Sequence, residues 1–435
     1  MTPPRPRRVA REPEPATRKS GGSPADRPAA PPPFRPPSRA SLQGLDWFTF
    51  FLANAQTGFG PFIAVYLTAQ AWTQVDIGFV LTIGGLAALA GQIPGGALVD
   101  AARSERRVAM LAVAGISASA LLIAGWPVFA SVLLAQVLHS AASCVLGPAI
   151  AAISLGLVGH RAIGSRLGRN ACFASIGNGV AAAGMGACGY FYSNRAVFFV
   201  TVALGIPTIL AIMRIREEEI DPVKAHGGVP VPHPGHPTAV LTDIAKRPLI
   251  VFAACIILFQ LANAAMLPLM GGIVTRRSST WATVLIAACI VVPQLVVALS
   301  SPWIGRKADT WGRRPLVVLG FVALTVRGVL FAFVTDPYVL VAVQILDGIS
   351  AAVLAVLVPL IIADATRGTG HFNLAQGVVG SGVGIGASFS TTLAGYVSDR
   401  FGGRIAFFLL AAIAGVGLAL VWALMPETRP EDESG

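Results

Sequence analysis

An all-α membrane protein with twelve transmembrane helices in two pseudo-symmetric six-helix bundles is the fold class this sequence predicts. Three observations predict it: the composition, the spacing of apolar runs and an internal repeat. The chain of 435 residues is 54% hydrophobic and 12% charged, with a mean hydropathy of +0.69. A soluble domain carries about 25% charged residues. With so little charge to cover its surface, this chain suits a lipid bilayer as its solvent.

Helix-length apolar stretches fall at 46–70, 77–100, 108–125, 128–158, 168–192, 196–213, 248–274, 282–304, 315–334, 337–364, 372–396 and 405–425. Each is long enough to cross a hydrocarbon core of about 30 Å. None alternates as a barrel strand would, and backbone facing lipid must be satisfied within its own segment.

The repeat begins with Leu52-Ala53-Asn54-Ala55, which recurs as Leu261-Ala262-Asn263-Ala264, 209 residues on. Gly96 and Asp100 recur as Gly305 and Asp309, and Arg195-Ala196-Val197-Phe198-Phe199 as Arg404-Ile405-Ala406-Phe407-Phe408, at the same offset of 209. Gln136 and His139 meet Gln344 and Asp347 at 208, and Asn170, Gly177 and Gly179 meet Asn373, Gly380 and Gly382 at 203. This is the pattern of a duplicated six-helix unit. Such repeats belong to secondary transporters, whose substrate site lies near the midplane between the halves. The expected organisation is a disordered Pro/Arg-rich tail over 1–43, a first bundle over 44–213, a linker over 214–247, a second bundle over 248–425 and a tail over 426–435.

The net charge of +11 follows membrane topology and not nucleic-acid binding. Nine of the 32 Lys/Arg lie in the first 40 residues, and most others sit in short turns. Loops on the N-terminal side hold sixteen of them and opposite loops five, which predicts cytoplasmic termini. No signal peptide is expected, because residues 1–40 lack an apolar run. The linker's His226, His233 and His236 are read as a solvated loop, since prolines at 230, 232, 234 and 237 deny them a shared helical face. The five cysteines lie in apolar runs without metal-ligand spacing, so neither a metal nor a disulfide is expected. Gly177-Asn178-Gly179 imitates a dinucleotide fingerprint but follows no strand. With no triad or nucleotide loop either, no cofactor and no enzyme activity are expected.

Ionisable groups inside the membrane are costly and usually functional. Asp347 falls near mid-depth in span ten, its repeat mate His139 at matching depth in span four, and Arg327 within reach in span nine. Either Asp347 titrates and carries a coupling proton, or Arg327–Asp347 is a permanent ion pair. Asn54, Gln56, Gln136, Gln260, Asn263 and Gln344 are neutral polar groups on spans one, four, seven and ten. For any one of them interhelical hydrogen bonding is the plain role. The i, i+3 spacing puts Gln136 with His139, and Gln344 with Asp347, on one face. Glycines of spans five and eleven (Gly177, Gly179, Gly184, Gly186, Gly189; Gly380, Gly382, Gly384, Gly386) allow close helix approach.

Gly305-Arg306-Lys307-Ala308-Asp309-Thr310-Trp311-Gly312-Arg313-Arg314 resembles the G-x-x-x-D-x-x-G-R-R loop signature of the major facilitator superfamily. Its first copy, Gly96 and Asp100 followed by Arg106 and Arg107, lacks the glycine before the arginines. The resemblance covers about 44–425 and implies the twelve-helix fold, alternating access by rocking bundles, and a cavity lined by spans one, four, seven and ten. That lining makes Asn54, Gln56, Gln136, His139, Gln260, Asn263, Gln344 and Asp347 a candidate substrate-cavity wall, interhelical hydrogen bonding being the alternative. An Asp at one helix end, facing another helix's N-terminus, meets a positive partial charge. Gly96, Asp100, Arg106, Arg107, Gly305, Asp309, Gly312, Arg313 and Arg314 therefore form a candidate cytoplasmic latch; the alternative is that the arginines serve topology alone. The family's proton antiporters often carry R-x-x-Q-G in span four, where Gln136 replaces the arginine, and G-x-x-x-G-P-x-x-G-G in span five, where the proline is missing.

The expected function is secondary transport by alternating access: proton-coupled efflux of a small, largely apolar compound from a bacterial cytoplasm across the inner membrane. Proton-symport uptake of a small metabolite is the alternative, and a non-transporting assembly factor or sensor a third. The expected partners are the substrate, protons and the bilayer, with the chain a monomer. The spans named as cavity walls show no basic cluster, which argues against multiply anionic substrates.

Overall fold

The computed structural model describes residues 36–59, 61–228, 247–277 and 282–429. Among them every regular element is helical. The first half contains α1 (Arg39–Thr57), α2 (Pro61–Ala69), α3 (Gln74–Ala101), α4 (Glu105–Gly125), α5 (Phe129–Phe191), α6 (Asn194–Met213) and the short α7 (Pro222–Ala225). The second contains α8 (Arg247–Asn263), α9 (Met266–Arg277), α10 (Ala282–Trp311), α11 (Arg314–Phe333), α12 (Pro337–Ala365), α13 (Phe372–Phe401) and α14 (Gly403–Leu424). Nine stretches among the described residues are long and apolar enough to cross a membrane.

Helices α4 and α6 run in opposite directions. The start of α4 meets the end of α6, where Arg106 Nη1 donates to the Ile215 carbonyl at 2.7 Å. At the far end the start of α6 meets the end of α4, where Arg195 Nε donates to the Ala124 carbonyl at 2.7 Å. The first of these ends collects most arginine-rich turns and is called the basic face below.

Three elements differ from continuous rods. Spans one and seven are each broken, at Gly58–Phe59 and at Ala264–Ala265. Spans four and five run into one helix, interrupted at Gly159 (φ 67°, ψ 177°). That left-handed φ is one a glycine adopts readily, so it turns the chain back at the basic face without a loop.

The linker reading needs correction where it can be compared. His226 is 5% exposed, not solvated; His233 and His236 lie outside the described residues. Three apolar side chains pull the segment down: Ile215 and Ala225 are 0% exposed and Ile220 is 6%. Asp221 caps α7 by accepting from the Val223 and Lys224 amides at 3.0 and 3.2 Å, and its own N–H donates to the Gly156 carbonyl at 3.2 Å. Although burial raises the Asp221 carboxyl, its contacts to Lys224 and Val223 outweigh that and hold it below the ordinary value.

Candidate functional site

At the basic face the two halves touch through matched glycines. A Cβ added to Gly96 on α3 would lie 2.2 Å from the Asn373 carbonyl on α13, and one on Gly377 would lie 2.2 Å from the Gln92 carbonyl on α3. On the other side, a Cβ on Gly305 of α10 would lie 2.3 Å from the Gly164 carbonyl of α5, and one on Gly168 would lie 2.4 Å from the Ser301 carbonyl. Gly164 and Gly168 stand 209 residues before Asn373 and Gly377. These contacts therefore correct the register read for spans five and eleven: it is 209, not the 203 that paired Asn170 with Asn373.

Asp100 completes the first of these contacts. Its carboxylate accepts from the Asn373 N–H (3.2 Å), Asn373 Nδ2 (2.8 Å) and the Leu374 N–H (2.7 Å). The two N–H groups are orphan donors of the first turn of α13. Arg106 pairs with Glu217 at 3.3 Å, and the mostly exposed Arg107 stands 3.9 Å from the same carboxylate. In the second copy, Asp309 Oδ1 lies 2.6 Å from where a Gly164 Cβ would be. Arg313 bonds Asp364 at 2.9 Å and stands 3.9 Å from Asp309. The Arg313 and Arg314 amides donate to Glu427 at 2.8 and 3.1 Å.

The missing glycine of the first copy has a local cause. Gly312 has φ +92°, which favours glycine. In the first copy α4 begins instead from Ser104 in extended conformation, whose Oγ accepts from the Arg107 N–H at 3.3 Å, so no left-handed residue is needed.

Midway along the second half, Arg327 of α11 is 1% exposed. Its Nη1 donates to Asp347 Oδ1 of α12 at 2.5 Å and to Asn263 Oδ1 of α8 at 2.7 Å. The structure thus brings together one ionic and one neutral member of the predicted set across three helices. The remaining polar residues disperse. Gln136 lies against Gly84 of α3, its neighbour Ser140 donating to the Gly84 carbonyl at 2.9 Å. His139 stacks on Phe59 with ring centroids 3.8 Å apart. Gln136 and His139, about 60° apart around the helix, meet α3 and the break after α1 respectively. Gln344 is fully buried, Asn54 Nδ2 donates to the Phe50 carbonyl at 3.0 Å, and Gln260 packs near Gly386.

A cavity of about 310 Å³ lies between the halves, lined by α1, α5, α12 and α13. Its walls are apolar, including Leu52, Ile150, Leu167 and Pro359, with Thr49, Gln56, Asn170 and Gln376 as polar groups. Gln56 is the member of the predicted wall that lines it. Behind Asn170 lies a network that the sequence reading did not assemble. Asp46 is bonded by Arg166, and by Arg169 at 2.7 Å. Arg166 Nε donates to Asn170 at 2.9 Å, and Asn170 Nδ2 to Ser154 at 2.8 Å. The available signal was Arg166, Arg169 and Asn170 at i, i+3 and i+4, one helix face opposite an aspartate near the start of span one.

Among the named glycines, Gly177 lies against α1, Gly380 and Gly384 against α3, and Gly382 and Gly386 against α8. Gly179, Gly184 and Gly186 face open space. Close approach between halves is thus concentrated toward the basic face.

Comparison with known proteins agrees with this architecture. The sequence profile described as Major Facilitator Superfamily matches residues 46–296 and 280–435. An uncharacterized MFS-type transporter of Mycobacterium tuberculosis is 39% identical over 399 residues, covering 90% of this chain and 94% of that protein. Multidrug resistance protein 2 of Bacillus subtilis is 26% identical over 148 residues, 34% of this chain and 36% of its own length. The class B tetracycline resistance protein of Escherichia coli is 29% identical over 139 residues, 31% of this chain and 33% of its own length. Among solved structures, the Escherichia coli fucose:proton symporter superposes with a TM-score of 0.71 at 16% identity, over 88% of this chain and 97% of that one. A matched profile over both halves, a near full-length relative and a shared fold place this membrane transporter chain in the major facilitator superfamily.

Proposed function

We propose that the protein is a proton-coupled exporter of a small, largely apolar compound, working by alternating access between two six-helix bundles, 44–213 and 248–425. The observation that carries this reading is the Arg327–Asp347–Asn263 cluster, in which a buried arginine holds a carboxylate that stays partly exposed. A carboxylate that can be charged or neutral in turn at that depth is what proton coupling requires. The apolar cavity with uncharged polar lining supports a substrate without multiple charges. Export is supported by the partial relatives named as drug-resistance proteins. In this reading the basic face is cytoplasmic, both termini lie there, the bilayer is a bacterial inner membrane and the chain acts as a monomer. Asp100 and Asp309 close that face.

The test is proton movement in inverted vesicles energised to be acid inside, while drugs, metabolites and metal-oxyanion compounds are added. A compound that releases protons with wild type and not with Asp347→Asn supports export through Asp347. Release by both retains export and removes Asp347 from it.

One observation favours symport uptake as a second reading. A proton on Asp347 leaves Arg327 as a buried cation without its counter-charge. A substrate bearing one carboxylate would restore the balance, so proton and anion would bind together. The opposite sign of substrate-driven proton movement identifies that case.

A further inference from the structure

Each half has one broken inner helix, and each break is reached by the titratable residue at the repeat-matched position. In the first half the break contains Phe59, whose ring stacks on His139 at 3.8 Å and 11°. In the second, α8 ends on Asn263 and α9 begins at Met266. Asp347, 208 residues after His139, reaches that break through Arg327, which bonds Asn263 at 2.7 Å. The next residue of α11, Gly328, packs against the other side of the break: an added Cβ would lie 2.9 Å from Met266 Cε.

The break is already stabilised in its bent form. A continuous helix would give the Ala265 N–H to the Leu261 carbonyl. Here it donates to Ser390 Oγ of α13 at 3.0 Å, and Ser390 is fully buried. A helix whose freed donor has a partner outside the helix can change its angle there without stranding a buried N–H.

We infer that Asn263 and Arg327 are positioning residues that transmit the protonation of Asp347 to the break at Ala264–Ala265, making α9 the moving gate of the second half. The inference rests on the reading in which Asp347 carries the proton. With Asp347 charged, Arg327 Nη1 is divided between two acceptors and holds Asn263 at the end of α8. With Asp347 protonated, the guanidinium loses its counter-charge and must regroup on the neutral acceptors that remain. Asn263 is the acceptor within its reach, so the load moves to the break. The ionisable groups beside Asp347 are Arg327 from α11 and, next to Arg327, the Cys289 thiol from α10.

The experiment is pulsed electron paramagnetic resonance on the full chain in nanodiscs, with native cysteines replaced and labels at Leu269→Cys on α9 and Tyr338→Cys at the start of α12. Proton movement is followed in vesicles of the same proteins. The mean distance is expected to shift by several ångströms between mildly alkaline and mildly acidic buffer. Asp347→Asn should hold the acid distance at both. Asn263→Ala should lose the shift and lower proton movement with it. Ser390→Ala, which leaves the ion pair intact, should broaden the distribution at both pH values. A wild-type distance unmoved by pH overturns the inference. A full shift in Asn263→Ala together with a sharp Ser390→Ala distribution also overturns it, while the Asp347 reading stands if Asp347→Asn stops proton movement. Proton movement that survives Asp347→Asn removes the coupling reading itself.

Discussion

The two halves differ in the charge they bury at mid-depth. Both keep a buried ion pair toward the basic face, Asp46 with Arg166 in the first and Arg313 with Asp364 in the second. At mid-depth the first places His139 against a phenylalanine ring, where the second adds the Arg327–Asp347 pair. Yet both break their inner helix and both pack glycine on carbonyl at an offset of 209 residues. Backbone packing tolerates little change once two helices touch at that distance, so the duplicated frame persists. Charge needs only a partner within reach and can be added at another depth.

The largest expected effects set the two charge clusters against each other. Arg327→Leu strands Asp347 and should cost about 3–5 kcal/mol of stability, read as thermal unfolding in detergent, and should abolish transport. Arg327→Leu with Asp347→Leu should regain most of the stability and none of the transport. Asp46→Leu should cost toward the lower end of the same range, because Arg166 keeps Asn170 and the Leu42 carbonyl as acceptors. Asp46→Leu with Arg166→Leu should regain both stability and transport. If that double variant stays inactive, the division between a structural first-half cluster and a functional second-half cluster fails.

Gly96→Leu and Gly305→Leu come next. Each drives a side chain into a carbonyl of the opposite half, an overpacking of about 1–3 kcal/mol. Both should raise thiol labelling of Gln376→Cys beside the cavity, and by similar factors if the two contacts are equivalent closures. Asp100→Ala should then exceed Asp309→Ala. It removes the acceptor of three donors on α13, worth about 1–2 kcal/mol as a helix cap, where Asp309 gives up a half-exposed pairing of about 1 kcal/mol or less. Equal labelling changes would show that the capping bonds add nothing. The smallest contrast is Gly312→Ala, at about 1–2 kcal/mol for its left-handed backbone, against Arg103→Gly in the first copy, within about 0.5 kcal/mol of neutral. Thermal unfolding distinguishes them.

Much of the frame was legible because duplication leaves residue types that backbone geometry demands. Gly96 with Asp100, and Gly305 with Asp309, could be read as helix-end pairs because glycine and an acceptor are what a close helix N-terminus needs. Arg327 and Asp347 could be read from depth alone, since neither belongs in lipid. The Asp46 network was not legible in the same way. Arginines at the edge of a span look like snorkelling topology signals until the opposing helix is known. The docked linker was hidden by its prolines and glycines; Ile215, Ile220 and Ala225 were its apolar anchors, too widely spaced to read as a helix face. The pairing of Asn170 with Asn373 failed because equal spacing within a motif does not ensure equal register between helices.

The docked stretch after α6 has a kinetic consequence. Its last turn reaches the other half: the Gly368 N–H donates to the Gly227 carbonyl at 2.7 Å, and Asn373 Nδ2, the same group that serves Asp100, approaches the Ala225 carbonyl at 3.5 Å. A covalent join alone would set the local concentration of one half around the other by its length. In the proposed alternation this foothold holds the linker's end on the second half beside the Asp100 contact, so opening leaves one attachment close to the surfaces that re-form. Reclosure then becomes a short zippering step and not a search, and a chain cut beyond Gly228 would retain the foothold on its first fragment.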